Sequence, residues 1–542
     1  MKKYALLVFI ISLAFFLRFY RLANNPPSLN WDEVSHGYNA YSILKTGKDE
    51  WGIKFPLIFR AYGDYKLPLY IYLTIPFIWT LGRNLLAIRL VSVLSGVSLV
   101  FVAYLITKKI TQKEIPSLFA AFLTAVSPWS LFLSRIAVEA NLCAFLFSLG
   151  IYFFISWLEN QKLRTLFFTF LFWGLSIYSY NSARVLVPIL IIITLFFILK
   201  KKLLKKSIIA IVFLALLLTP FILQFIGNSG KARFNLVSLI DQGAVNQISE
   251  KRTNSKLPKP LKELAFNRVT FFFASAFKNY FSNLSPKYLF FRGGSQYQFS
   301  LPDHELLYLV TTPFLLIGIL MFLSGKIPGG RFLVLWFFLA FIPSAITKDA
   351  PHVLRTILIL PSPMILSAMG LSWLTDKIGS RSHFKGKFIL AILVIAVLIS
   401  FGKWWKDYQE IYPKVYSWVW QYGYQEVVAF VKDKYADYDQ IYFTKSLGEP
   451  HEFFAFYWPW DPQSFSQEKK WDYHANWYWV NSFEKFTFVN DWKMKEITCL
   501  SFGSRCLMVT SPGNFPSGWS KIKTIKFLDG KPVFEILEKV NK

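Results

Sequence analysis

ENQKLRTLFFTFLFWGLSIYSYNSARVLVPILIIITLFFILKKKLLKK, residues 159–206, decides the fold class. It holds two apolar runs, 163–180 and 185–199, joined by a short polar turn and closed at each outer end by a cluster of cations. A helix on the surface of a soluble domain keeps one polar face, and neither run has one. Runs of this length approach the width of a hydrocarbon core, where every backbone N–H and C=O must be satisfied within the segment, so each is expected to be a membrane-crossing helix. The basic clusters ENQKLR and KKKLLKK then mark the cytoplasmic end of the pair, and YSYNSAR the opposite end.

The pattern extends along most of the chain. Comparable runs fall at 4–19, 87–106, 115–133, 137–158, 208–226, 306–323, 332–346, 356–374 and 388–401, which with the first two makes about eleven spans. The run at 4–19 follows Met-Lys-Lys but lacks a small-residue cleavage site and leads directly into Arg21 and Asn24, so it reads as a span rather than a secretory signal. The composition agrees: of 542 residues, 54% are hydrophobic and 17% charged, which does not suit a soluble domain. A net charge of +28 raises the question of nucleic acid, but the cations lie in short loops, where they act as topology signals. No nucleic-acid partner is expected.

Loops 107–113, 159–164, 200–206, 325–331 and 376–387 carry the positive charge, and all share one side if the N-terminus is cytoplasmic. Residues 22–86, the turns 134–141, 178–184 and 348–355, the long loop 227–305 and the region from 403 to 542 are then external. The apolar stretch 67–81 breaks this alternation if counted as a crossing, so it is read as a juxtamembrane or re-entrant helix within the first external loop. After Gly402 the sequence becomes rich in Trp and Tyr, with helix-like YQEVVAFVKDKY, strand-like QIYFT and a DG turn in KTIKFLDGKPVFEIL, which predicts a small α/β domain. The expected domains are 1–402 in the membrane and 403–542 outside.

Three cysteines occur. Cys143 lies in an apolar run and is expected to pack, while Cys499 and Cys506 are placed to close a small disulfide loop if their region is outside. No CxxC pair and no His/Cys group at metal spacing is present, so no metal or cofactor is expected, though a divalent cation stays open.

The first external loop contains PPSLNWDEVSHGYNAYSILKTGKDEWG, residues 26–52. Asn30 followed by Glu33 has the form of a capping box, and Thr46-Gly47 supplies a stop, so a helix is expected from about Trp31 to Lys45. This separates two adjacent acids: Glu33 folds back onto the cap, and Asp32, with His36 near it at helical spacing, is directed outward. The bland reading is that both acids merely satisfy the helix N-terminus. Lys66, Arg135, Glu139, Tyr180, Arg184, His352 and Arg355 all fall at the outer end of the bundle, where topology does not favour cations. Singly each cation is an interface anchor; gathered at one leaflet they suit an anionic group.

WDE at 31–33, GDYKLPLYIYL at 63–73, RLVSVLSG at 89–96, SPWSLFLSRIAVEAN at 127–141, YSYNSARVLVP at 178–188 and PHVLRTILILP at 351–361 together resemble the protein O-mannosyltransferase and bacterial aminoarabinose transferase family, within the GT-C glycosyltransferases. The resemblance spans residues 1–375 in order, with Lys66-Leu67-Pro68 where Lys-Pro-Pro or His-Pro-Pro is commoner. It implies a polytopic α-helical protein of GT-C type in the plasma (inner) membrane. It also implies sugar transfer from a polyprenyl-phosphate donor to a glycan, lipid or protein acceptor outside the cytoplasm. On that reading Asp32 is the general base with Glu33 beside it. Lys66, Arg184 and Arg355 clamp the phosphate with His352 in support, and Glu139, Arg135 and Tyr180 assist binding. Two further readings stay open: a non-catalytic glycan-binding membrane protein, and an oligosaccharide transferase or ligase using a lipid pyrophosphate. A transporter fits less well, because the polar residues gather at helix ends rather than at mid-bilayer.

Overall fold

The computed structural model describes residues 2–226, 236–323, 329–379, 383–458, 460–475, 477–499 and 503–540. Parts of three expected loops, 227–235, 325–328 and 380–382, lie outside the described residues. The first ten helices are α1 (Lys2–Phe19), α2 (Trp31–Thr46), α3 (Pro68–Leu81), α4 (Leu85–Thr111), α5 (Glu114–Val126), α6 (Pro128–Leu133), α7 (Glu139–Asn160), α8 (Leu163–Ile177), α9 (Asn181–Lys200) and α10 (Leu204–Ile226). Among the described residues, six helices are long and apolar enough to cross a membrane: Leu85–Thr111, Glu139–Asn160, Asn181–Lys200, Leu204–Leu223, Ile357–Ile378 and Lys385–Val415. Shorter apolar helices cover the other expected spans. This is a multi-pass, α-helical membrane protein.

Some expected spans are broken, each at a proline. The run 115–133 divides at Ser127, whose side chain caps α6 ahead of Pro128. Residues 332–346 become Gly330–Leu339 and Ile342–Ala345, with Pro343 opening the second piece. Proline has no N–H for the preceding turn, so the helix restarts there. The last span does not stop at 401 but continues as one helix from His383 to Glu410.

The chain groups into two compact units. The first contains Met1–Tyr20, Ser92–Ser134 and Val138–Trp405. The second contains Arg21–Val91, Arg135–Ala137 and Lys406–Lys542, so the first loop groups with the C-terminal region.

In the first unit, Leu7, Ile10 and Ala14 of α1 pack with Val100 of α4 and Leu118, Ala121 and Ala125 of α5. Arg18, in the last turn of α1, is fully buried and donates to the carbonyls of Ala14, Thr124 and Ala125 and to Ser130 Oγ. It satisfies carbonyls at the C-terminus of α5 that no helical N–H reaches. Four of the five loops read as basic and cytoplasmic are tied to one another: Lys109 to Glu159 at 2.7 Å, Lys113 to Asp376 at 2.5 Å, and Lys201 Nζ to the Leu158 carbonyl at 3.1 Å. Their grouping at one end rests on contacts independent of the charge rule.

In the second unit a seven-stranded mixed sheet has the order β4-β5-β6-β3-β7-β9-β8, where β3 is Gln440–Thr444, β4 Lys470–His474, β5 Trp477–Phe483, β6 Phe486–Val489, β7 Arg505–Thr510, β8 Ser520–Lys526 and β9 Pro532–Val540. Strand β3 runs parallel to both β6 and β7, and β8 and β9 form a hairpin through Asp529-Gly530. Gly530 takes φ 89°, the left-handed conformation a tight turn demands. The sheet, with helices Tyr424–Asp433, Pro450–Tyr457 and Pro462–Glu468, makes the expected α/β domain. Cys499 and Cys506 form a disulfide packed with Tyr442, Met494, Met508 and Trp519.

Candidate active site

Asn30 and Glu33 close the capping box that starts α2, and Gly47 ends the helix at φ 70°. This local geometry sends two adjacent acids in different directions. The Glu33 carboxylate is buried and accepts four hydrogen bonds: from Arg89 Nε at 2.8 Å, Arg89 Nη2 at 2.9 Å, the Ala137 N–H at 2.8 Å and the Asn30 N–H at 3.3 Å. Arg89, fully buried on α4, spends its other donors on the carbonyls of Leu22, Pro26 and Ser28. Every lone pair on one partner and every N–H on the other is occupied.

Asp32 is different. Its side chain is 51% exposed and lies 3.0 Å from Lys66 Nζ, which also donates to the Asp32 backbone carbonyl at 3.1 Å. Lys66 is fixed by a short antiparallel pair, β1 (Phe59–Arg60) with β2 (Tyr65–Lys66), immediately before Pro68 opens α3. At 14 residues, α3 is about 21 Å long, too short for a hydrocarbon core of about 30 Å. It packs on α2, with Tyr70 against His36 at 5.2 Å between ring centroids. His36 is therefore buried, not beside Asp32 at the exposed helix start as the spacing suggested. Both its face of α2 and that of Tyr38 are covered within this unit. Arg135 is also fully buried, donating to Tyr408 Oη at 3.1 Å and to the Asn25 carbonyl at 2.9 Å.

The first unit holds Glu139, Tyr180, Arg184, His352 and Arg355. The three turns that carry them are laced together: Ser179 Oγ donates to the Glu139 carbonyl at 2.9 Å, and Ser182 Oγ to the Arg355 carbonyl at 3.0 Å. The described part of the long loop, 236–305, joins the same end, through Lys348 to Asp241 at 2.7 Å and Asn279 Nδ2 to the Thr347 carbonyl at 3.1 Å. Tyr180 is the N-cap of α9, and Arg184 stands one turn on, its guanidinium 4.8 Å from the centre of the Phe221 ring. Arg355 Nη1 donates to Thr347 Oγ1 at 3.0 Å and to the Lys348 carbonyl, and the His352 ring lies 6.0 Å from that of Phe299. The turns carrying Arg184, His352 and Arg355 are thus linked by hydrogen bonds within the first unit.

Residues 66–224 match the dolichyl-phosphate-mannose-protein mannosyltransferase family. ArnT from Cupriavidus metallidurans in the apo state superposes over 100% of this chain and 99% of its own, at TM-score 0.55 and 12% identity. The chain shares the fold of this protein. The same ArnT bound to undecaprenyl phosphate aligns at TM-score 0.51 and 11% identity, over 98% of each chain. The apo oligosaccharyltransferase of Archaeoglobus fulgidus aligns at TM-score 0.55 and 14% identity, over 84% of this chain, which spans only 63% of that protein's length. No curated protein sequence matches the chain.

Sequence reading missed the partners that hold the candidate residues. Arg89 sits inside the quoted RLVSVLSG motif and was passed over; an arginine in an otherwise apolar run, one turn from the start of a span, is the signal that finds it. Tyr408 lies at the end of a helix read as stopping at 401. A further buried polar group in the second unit, built from Glu50, Tyr62, Glu449, His451, Glu452 and Lys469, has no local motif at all. There burial pushes the Glu449 carboxyl up to about 7, against the hydrogen bond from Trp477, and raises Glu452 well above the usual carboxylate range, with Glu50 adding to the effect.

Proposed function

We propose that this GT-C protein transfers a sugar from a polyprenyl-phosphate donor to an acceptor hydroxyl or phosphate on the outer face of the plasma membrane, with inversion, and that Asp32 accepts the acceptor's proton. The observation that carries this reading is the division of labour at the start of α2: Glu33 is buried with all its acceptor positions filled, while Asp32, one residue away, is half exposed and oriented by Lys66. A general base needs access to solvent and a fixed direction, and the exposure of Asp32 with its ion pair to Lys66 supports both.

A phosphate monoester leaving group needs its developing charge held more than it needs an acid. Arg184 and Arg355 are the proposed clamp, with His352 in support, because guanidinium donors match phosphate oxygens in pairs. Lys66 serves in this proposal mainly to orient Asp32. Arg135 and Glu33 keep their surroundings in register, and Glu139 and Tyr180 place the turns around Arg184. The donor class is supported by the solved forms of similar proteins, ArnT with undecaprenyl phosphate and the archaeal enzyme with an inhibitory peptide and a dolichol-phosphate. The Cys499–Cys506 disulfide supports an external second unit, since such bonds persist in oxidising compartments.

The test is transfer by purified protein in detergent with a panel of polyprenyl-phosphate sugars. Asp32→Asn keeps shape and loses the basic lone pair, so turnover is expected to fall by about a hundred to ten thousand fold while donor binding persists. Near wild-type turnover in that variant at saturating donor and acceptor excludes Asp32 as the base.

A further inference from the structure

Three side chains from remote parts of the chain meet inside the second unit: Glu50 from the first loop, and His451 and Glu452 from the helix Pro450–Tyr457. One ligand atom of each lies within 4.8 Å of the other two, and all three residues are at most 1% exposed. Their outward-facing atoms are pinned. Glu50 Oε1 accepts from Asn39 Nδ2 at 2.9 Å, and Glu452 Oε1 accepts from the Tyr62 hydroxyl. The Tyr62 ring stands edge-on to the His451 ring, 5.6 Å between centroids. The atoms left over have no hydrogen-bond partner among the described residues: Glu50 Oε2, Glu452 Oε2 and both ring nitrogens of His451.

Buried carboxylate oxygens and imidazole nitrogens without donors are costly, and two carboxylates brought together repel. Lys469 offsets part of this. Lys469 Nζ is 3.9 Å from Glu50 Oε2, donates to the Glu50 carbonyl at 2.7 Å and lies 3.7 Å from the Trp51 ring centre. Glu449 Oε2 lies 3.6 Å from His451 Nδ1.

We propose that Glu50, His451 and Glu452 bind a divalent transition-metal ion of the zinc class. One imidazole with two carboxylates is the donor set such ions take, whereas magnesium and calcium prefer oxygen alone. Around a tetrahedral zinc, with bonds of about 2.0–2.2 Å, ligand atoms stand roughly 3.4 Å apart, so rotation of three side chains closes the present spacing. The ion has a structural role. Glu50 is bonded twice to Asn39 of α2, through its side chain and through its own N–H to Asn39 Oδ1 at 3.2 Å. An ion joining Glu50 to helix Pro450–Tyr457 therefore braces the helix that carries Asp32. This assignment stands apart from the transfer reaction and needs none of its substrates.

Full-length, tag-free protein purified without chelator and equilibrated with zinc is expected to retain about one zinc per chain by elemental analysis. EDTA should lower its Tm, and zinc should restore it. His451→Gln and Glu452→Gln should each lose the bound zinc and the response to EDTA. Where a variant fails to fold, cobalt(II) added to the chelated wild-type protein gives the deciding signal, visible absorption of a low-coordinate site. Less than a tenth of an equivalent of zinc in the wild type, with Tm unmoved by zinc or EDTA, overturns the proposal, as does full zinc retention in both variants.

Discussion

Glu33 and Asp32 are adjacent in sequence and opposite in circumstance. The capping box by itself predicts a mild Glu33→Gln, because glutamine still closes the box. The structure adds Arg89, whose buried guanidinium has Glu33 as its charge partner. Removing one member of a buried ion pair typically costs about 3–5 kcal/mol, so Glu33→Gln should lower thermal stability markedly, and Arg89→Gln should do the same. Equal Tm in wild type and Glu33→Gln, measured in one detergent, would show that the pair contributes little. Arg355→Ala is expected to weaken donor binding, but it also frees the Thr347 hydroxyl and the Lys348 carbonyl that its guanidinium holds. Arg184→Ala should weaken donor binding as well, with loss of the contacts its guanidinium makes to the Ile177 carbonyl at 3.3 Å and to the Phe221 ring. Lysine at either position should restore donor affinity only in part. Donor affinity unchanged in both alanine variants would make these arginines interface anchors.

At the scale of elements, α2 was legible because its signals are local: Asn30 and Glu33 at the start, Gly47 at the stop. Its surroundings were not. Gly37 faces Ile88 and Phe456, and a Cβ there would lie 2.6 Å from Ile88 Cδ1 and 2.7 Å from Phe456 Cε2. Gly37→Val is therefore expected to displace helix Pro450–Tyr457 from α2 and lower stability by roughly 1–3 kcal/mol, a cost of overpacking. A denaturation midpoint equal to wild type would mean that the interface yields without cost. The broken spans show the same limit. Hydropathy averages over a window and passes through Ser127-Pro128, whereas a single missing N–H is enough to end a helix.

At the scale of the molecule, two groups of loops segregate by contact as well as by charge, one through Lys109–Glu159 and Lys113–Asp376, the other through Ser182 and Arg355. Single cysteines introduced at Lys201 and at Asp349, in a background lacking Cys143, should react with membrane-impermeant reagent on opposite faces. The one at 349 is expected to label in intact cells. Labelling at 201 instead would invert the topology and move the proposed site to the cytoplasmic side. The sequence by itself determined the apolar runs, the helix that begins at Trp31 and the small C-terminal α/β domain, because hydropathy, capping and turn chemistry are written within a few residues of where they act. Only the tertiary structure decided that His36 is buried, that Arg89 neutralises Glu33, and that Glu50 meets His451 and Glu452. Those depend on which distant segments fold against one another, and a buried charge carries no local mark of the partner that satisfies it.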